Sequence, residues 1–182
     1  NQELSPFGAW KNLAAYQVDV WQRSVLFLDT LRQRADNMIE HEKAGMPPLL
    51  DFKYEMALDA RAFKRPANYA LLKITEIGDD CLEECLDPDK APVIIIDPRA
   101  GHGPGIGGFK RDSEVGIALH EGHPVYFVVF YPDPVPNQTM GDVLAALRHF
   151  VEDVSSWHDG KPPVLYGNCQ AGWMLALLSA DC

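Results

Sequence analysis

"PPVLYGNCQAGWMLALLSAD", Pro162 to Asp181, changes backbone rhythm within ten residues. Val164, Leu165 and Tyr166 form a short unalternating run suited to a buried strand, and from Gln170 onward the residues favour a helix. Between the two stands Cys169, with Gly167 two positions before it, Ala171 two after and Gly172 three after. At a sharp strand-to-helix turn the side chains two before and two after the apex would collide, so a turn of this kind requires small residues there. The pattern predicts a nucleophile elbow, with Cys169 held above the carboxyl edge of a sheet. The amino end of the following helix offers partial positive charge and unpaired N–H groups, which favour a thiolate. The N–H of Gln170 is then the expected donor to a developing oxyanion. A cysteine at a tight turn can equally be a small inert residue, so the reading depends on its surroundings.

Those surroundings alternate between strand and helix. "PVIIID" (Pro92 to Asp97) and "PVYFVVFYP" (Pro124 to Pro132) are continuous apolar runs of buried-strand length. Each is followed by a helical pattern, "SEVGIALHEGH" from Ser113 and "TMGDVLAALRHFVEDVSSW" from Thr139. Unalternating strands separated by helices imply a mostly parallel sheet with helices on both faces. "NYALLKITE" (Asn68 to Glu76) reads as an earlier strand, and the acidic stretch from Gly78 to Lys90 ends in the turn Asp87-Pro88-Asp89. Ahead of all this, Leu13 to Lys43 is one helical pattern, with Tyr16, Trp21, Val25, Leu28, Leu31, Ala35 and Met38 on one side; Gly45-Met46-Pro47-Pro48 stops it. Such a helix is about 45 Å long and either covers a core or joins a second copy as a homodimer. The expected division is an amino-terminal helical region, 1–60, and an α/β core, 61–182.

Charge and composition exclude some functions. A net charge of −10, with no basic cluster beyond Lys110-Arg111, argues against nucleic acid as partner. The longest apolar stretch, near Val125 to Tyr131, is far short of a bilayer span. Cys81 and Cys85 would lie one helical turn apart, and no second pair stands at ligand spacing, so neither a zinc site nor a disulfide framework is expected. A reduced, cytoplasmic protein follows.

"DPRAGHGPGIGGFKRD" (Asp97 to Asp112) leaves the first buried strand and has two readings. Gly103, Gly105 and Gly108 have the spacing of a dinucleotide-binding fingerprint, with Asp133 placed to meet a ribose. Pro104 inside the motif and the length of the loop weigh against it. In the other reading the loop supplies a second oxyanion donor just past the strand end. Arg99 is the expected donor, with Ala100 to Gly103 as alternates, and His102, Gly103 and Gly105 meet the substrate. His102 contacts substrate or orders its loop; His120, His123, His149 and His158 read as surface or capping residues.

"WQRSVLFLDTLRQR" (21–34), "DPRAGHGPGIGGFKRDSEVGIAL" (97–119) and "YGNCQAGW" (166–173) together resemble the poly(3-hydroxyalkanoate) synthetase-like bacterial proteins of unknown function, relatives of the polyester synthases in the α/β-hydrolase superfamily. The resemblance implies a partial α/β-hydrolase fold behind a long amino-terminal helix. It implies an acyltransferase that moves an acyl group from a coenzyme A thioester to Cys169, with no cofactor. Synthases carry two glycines after the nucleophile where this chain has Ala171 and Gly172. The family's acid and histidine follow the nucleophile, yet every histidine here precedes Cys169 and the sequence ends thirteen residues beyond it. The expectation is therefore a fragment, truncated after the elbow and inactive alone. Two further functions stay open. One is a cysteine-type thioesterase or esterase, and the other is a nucleotide-binding module that uses the glycine loop without covalent chemistry.

Overall fold

The computed structural model describes residues 6–77, 80–81, 86–100 and 105–181. The chain divides after Pro47 into two units. The first is built on α1 (Pro6–Lys43), a single helix of 38 residues. No glycine or proline interrupts it from Ala9 onward, and Arg23–Asp19, Arg32–Asp29 and Arg32–Asp36 pair along it at 2.8, 3.0 and 2.8 Å. It ends where Gly45 and Met46 take positive φ and the Met46 N–H turns back to the His41 carbonyl. Its large apolar residues Trp10, Trp21, Phe27 and Leu28 are exposed.

The second unit holds a mixed sheet. Its strands are β1 (Lys53–Asp59), β2 (Tyr69–Ile77), β3 (Asp80–Cys81), β4 (Val93–Ile96), β5 (Val125–Phe130) and β6 (Val164–Tyr166), in the order β1-β2-β5-β4-β6 with β3 paired to β2. β4 lies parallel to β5 and β6, whereas β2 runs antiparallel to both β1 and β5. The expected parallel sheet is thus parallel only in β4, β5 and β6. The division after Pro47, earlier than residue 60, reflects β1, which belongs to the sheet. Cys81 lies in a strand, not on a helical turn, and Cys85 lies outside the described residues.

The helices α2 (Glu114–His120), α3 (Met140–Trp157) and α4 (Cys169–Asp181) cover the sheet unequally. On one face Ile94, Ile96, Tyr126 and Val128 meet Val143, Leu147 and Phe150 of α3 and Ala171, Met174 and Leu178 of α4. On the other face Val93, Ile95, Phe127 and Val129 meet Phe52 and the α2 residues Val115 and Leu119. Successive residues of β4 and β5 feed opposite cores, which explains their unbroken apolar sequence. β6 differs. Val164 and Tyr166 are 52% and 41% exposed, whereas Leu165 packs into the core beside α4, so the third apolar run, expected to be buried, is among the described residues an edge strand covered on one face. α3 begins on a reciprocal cap, in which the Thr139 hydroxyl accepts from the Asp142 N–H and the Asp142 carboxylate accepts from the Thr139 N–H.

Candidate active site

The elbow is built from contacts that only small residues permit. Cys169 is the first residue of α4 and takes φ +49°, a left-handed conformation costly for a residue with a side chain. A Cβ placed on Gly167 would lie 2.9 Å from the Ala171 Cβ and 3.0 Å from Leu175 Cδ1, closer than carbon atoms pack. One placed on Gly172 would lie 3.2 Å from the Gly167 carbonyl oxygen. Ala171 is fully buried beneath the turn, while Cys169 and Gln170 are exposed. The thiol is free and faces solvent at the carboxyl end of β6. The first ladder bond of α4 is from the Gly172 N–H to the Asn168 carbonyl at 3.1 Å. The N–H groups of Cys169, Gln170 and Ala171, ahead of it, belong to the unpaired set that opens a helix.

The loop after β4 is organised by a residue that the sequence did not single out. Asp97 is buried, and its carboxylate accepts from the N–H groups of Arg99 at 2.8 Å, Gly105 at 2.7 Å and Ile106 at 2.9 Å. Burial pushes its carboxyl above the ordinary value of 3.8, against the opposing pull of those three donors. This arrangement corrects the expected oxyanion donor. The Arg99 N–H is already spent on Asp97, so it is not available to a substrate. The Ala100 N–H, one residue on, has no acceptor among the described residues. The Arg99 guanidinium lies 5.0 Å from the Phe130 ring centroid, and its Nη1 donates to the Tyr69 hydroxyl at 3.3 Å. It adds positive charge beside the carboxyl edge of β5.

His102 and Gly103 lie outside the described residues. Gly105 and Gly108 face protein: a Cβ on either would run into Leu49 backbone or the Leu50 side chain. These two glycines therefore serve close packing against Leu49 and Leu50. The other histidines of this unit sit away from the elbow. The His123 Nδ1 pairs with the Ala91 carbonyl and the His158 Nε2 with the Tyr126 hydroxyl, both toward the amino end of the strands. His120 closes α2 at that same end, and His149 is exposed on α3. A histidine partner for the thiol is thus absent among the described residues of the unit. No group of three or more metal-ligating side chains gathers among the described residues. No helix among them is long and apolar enough to cross a membrane.

Fold and site together define a mixed α/β protein with a solvent-facing thiol at a strand-to-helix turn. Residues 19–181 match a protein family of unknown function, DUF3141, and the chain belongs to that family. It is 48% identical over 168 residues to the uncharacterized protein in the ackA 5′ region of Rhizobium meliloti, a match covering 91% of this chain and 22% of that protein. The chain thus spans about a fifth of the length of this curated relative. No solved structure matches. The family assignment overturns the resemblance to poly(3-hydroxyalkanoate) synthetase-like proteins, because neither the family nor the relative carries such a description. The physical source of the error is plain. Gly-x-Cys-x-Ala-Gly records the sterics of a turn, and those sterics carry no information about a substrate.

Proposed function

We propose that this region carries the nucleophile of a covalent acyl-transfer or acyl-hydrolysis site of the α/β-hydrolase type. The observation that carries the proposal is the exposed Cys169 at φ +49°, with Gly167 so near Ala171 that a Cβ on it would lie 2.9 Å from the Ala171 Cβ. The sheet supports the same reading. Its order β1-β2-β5-β4-β6, with β2 reversed against its neighbours, is the order of the amino-terminal half of an α/β-hydrolase sheet. In that arrangement the nucleophile follows the strand that β6 corresponds to.

The chemistry follows from the groups present. The Cys169 thiolate attacks the carbonyl carbon of an ester or thioester, forming a C–S bond and a tetrahedral oxyanion. We assign the oxyanion to the Gln170 N–H and, in place of that of Arg99, the Ala100 N–H; one such donor is worth about 3 to 4 kcal/mol in the transition state. The oxyanion collapses, the bond to the leaving alkoxide or thiolate breaks, and the acyl group remains on sulfur. Water or a second nucleophile then releases it, with a base from the rest of the full-length protein.

Rapid mixing of the full-length protein with p-nitrophenyl acetate tests this reading. The expected result is a burst of one p-nitrophenolate per chain that disappears in Cys169→Ala. Release without a burst, or a burst indifferent to that substitution, refutes it.

A further inference from the structure

Parallel strands are ordinarily buried on both faces. β4 and β5 are, and β6 is not. α2 is only 7 residues long and packs on β4 and β5. It meets β6 through Glu114, whose carboxylate accepts from the Tyr166 hydroxyl at 3.2 Å, and the rest of the face of β6 opposite α3 and α4 is open among the described residues. Val93, Ile95, Phe109, Ile117, Val164 and Tyr166 line an open groove there of about 790 Å³. Ser113, at its rim, is 4% exposed, and its hydroxyl has no hydrogen-bond partner among the described residues. The outer edge of β6 is also open. Val164 donates to the Pro92 carbonyl at 2.8 Å, and in a parallel ladder alternate residues bond to one side. Leu165 therefore turns its N–H and C=O away from β4, toward an edge that no described strand occupies.

The path of the chain indicates what belongs there. α3 crosses from β5 to β6 on one face, and α4 leaves β6 on that same face, its Ala171, Met174 and Leu178 sharing a core with Val143 and Phe150. Right-handed crossovers dominate parallel sheets, and one that continues on this face and in this direction delivers the next parallel strand to the free edge of β6. A second copy related by a two-fold axis would present an antiparallel edge instead. A small apolar ligand could fill the groove but would leave the Leu165 backbone groups unpaired. The matched segment is 22% of the Rhizobium meliloti relative, so the full-length polypeptide has ample sequence to supply the cover.

We infer that the edge of β6 and the adjoining groove form an internal docking surface for another segment of the full-length polypeptide. That segment adds a parallel strand to β6 and lays an amphipathic helix across Val164, Tyr166 and Ile117. The inference is independent of any chemistry at Cys169.

Amide hydrogen exchange on the unmodified full-length protein tests it without any substitution. The expected result is that the Leu165 amide exchanges on the order of a hundredfold more slowly than an unprotected amide. Full-length Val164→Lys and Ile117→Lys are each expected to lower the melting temperature by about 5 °C or more, because each would bury a charge. A Leu165 amide that exchanges at the unprotected rate overturns the inference. So does a full-length dimer that Val164→Lys converts to monomers, since the occupant would then be a second copy. Unchanged melting temperatures in both variants overturn it as well.

Discussion

Gly167→Ala isolates the contact on which the elbow depends. The added methyl would sit 2.9 Å from the Ala171 Cβ, 3.1 Å from the Ala171 carbonyl carbon and 3.0 Å from Leu175 Cδ1. Carbon atoms prefer about 3.5 to 4.0 Å. The Leu175 side chain can rotate aside, but Ala171 is anchored in the helix and fully buried. Overpacking of this kind costs about 1 to 3 kcal/mol. Replacing a glycine whose φ is not positive returns about 0.4 to 1 kcal/mol through the unfolded chain. The net expectation is a loss of about 1 to 2 kcal/mol, or about 3 to 8 °C in melting temperature for a unit of this size. Ala171→Gly alone costs about 1 to 2 kcal/mol through a lost buried methyl and lower helix propensity. Combined, the new methyl occupies space the old one leaves, so the double variant is less damaged than the two losses together by about 1 kcal/mol. Chemical denaturation of the four proteins measures that coupling. Strict additivity, within about 0.5 kcal/mol, would show that residues 167 and 171 do not press on one another and would refute the reasoning.

Three other outcomes are expected. Asp97→Asn tests the buried carboxylate through pH. Its folded pKa lies above the ordinary 3.8, so the stability it contributes is complete in acid and is lost as pH rises through the folded value. The melting temperature of Asp97→Asn relative to the parent should therefore climb as pH rises above about 3.8, and a flat or falling difference contradicts the assigned direction. Thr139→Ala removes half of the reciprocal cap of α3 and should cost about 1 kcal/mol in urea denaturation, against no change if the cap is unformed. Phe150→Ala empties a fully buried site between α3 and the sheet and should cost about 3 to 5 kcal/mol, with a loss below about 1 kcal/mol excluding the described core.

The elements easiest to read from sequence were those whose pattern has a single physical cause. β4 and β5 are continuous apolar runs because both of their faces are buried, and α3 announces itself through Thr139, Asp142 and a periodic apolar face. The tight strand-to-helix turn at Cys169 was legible for a similar reason, since the need for small residues at 167 and 171 is local sterics. β6 shows the limit. Val-Leu-Tyr states that the strand is apolar, but only the packing shows which side is covered. β1 was missed because Lys53 and Glu55 break up its apolar residues, as an exposed edge strand allows. The reversal of β2 was unreadable because direction is set by how chain segments meet, not by residue type. Asp97 went unnoticed because its partners Gly105 and Ile106 are eight and nine residues away. Its bond to Arg99 was within reach: an aspartate that accepts from the N–H two residues on is a common turn. That turn is what occupies the Arg99 N–H.

The most direct test of a nucleophilic Cys169 is the mass of the protein after reaction. Full-length protein mixed with an acyl-coenzyme A thioester, quenched in acid and mapped by peptide mass spectrometry should carry one acyl group on the peptide containing Cys169, and Cys169→Ala should carry none. An unmodified Cys169 peptide under conditions where the substrate is consumed, or equal acylation in the alanine variant, would contradict it.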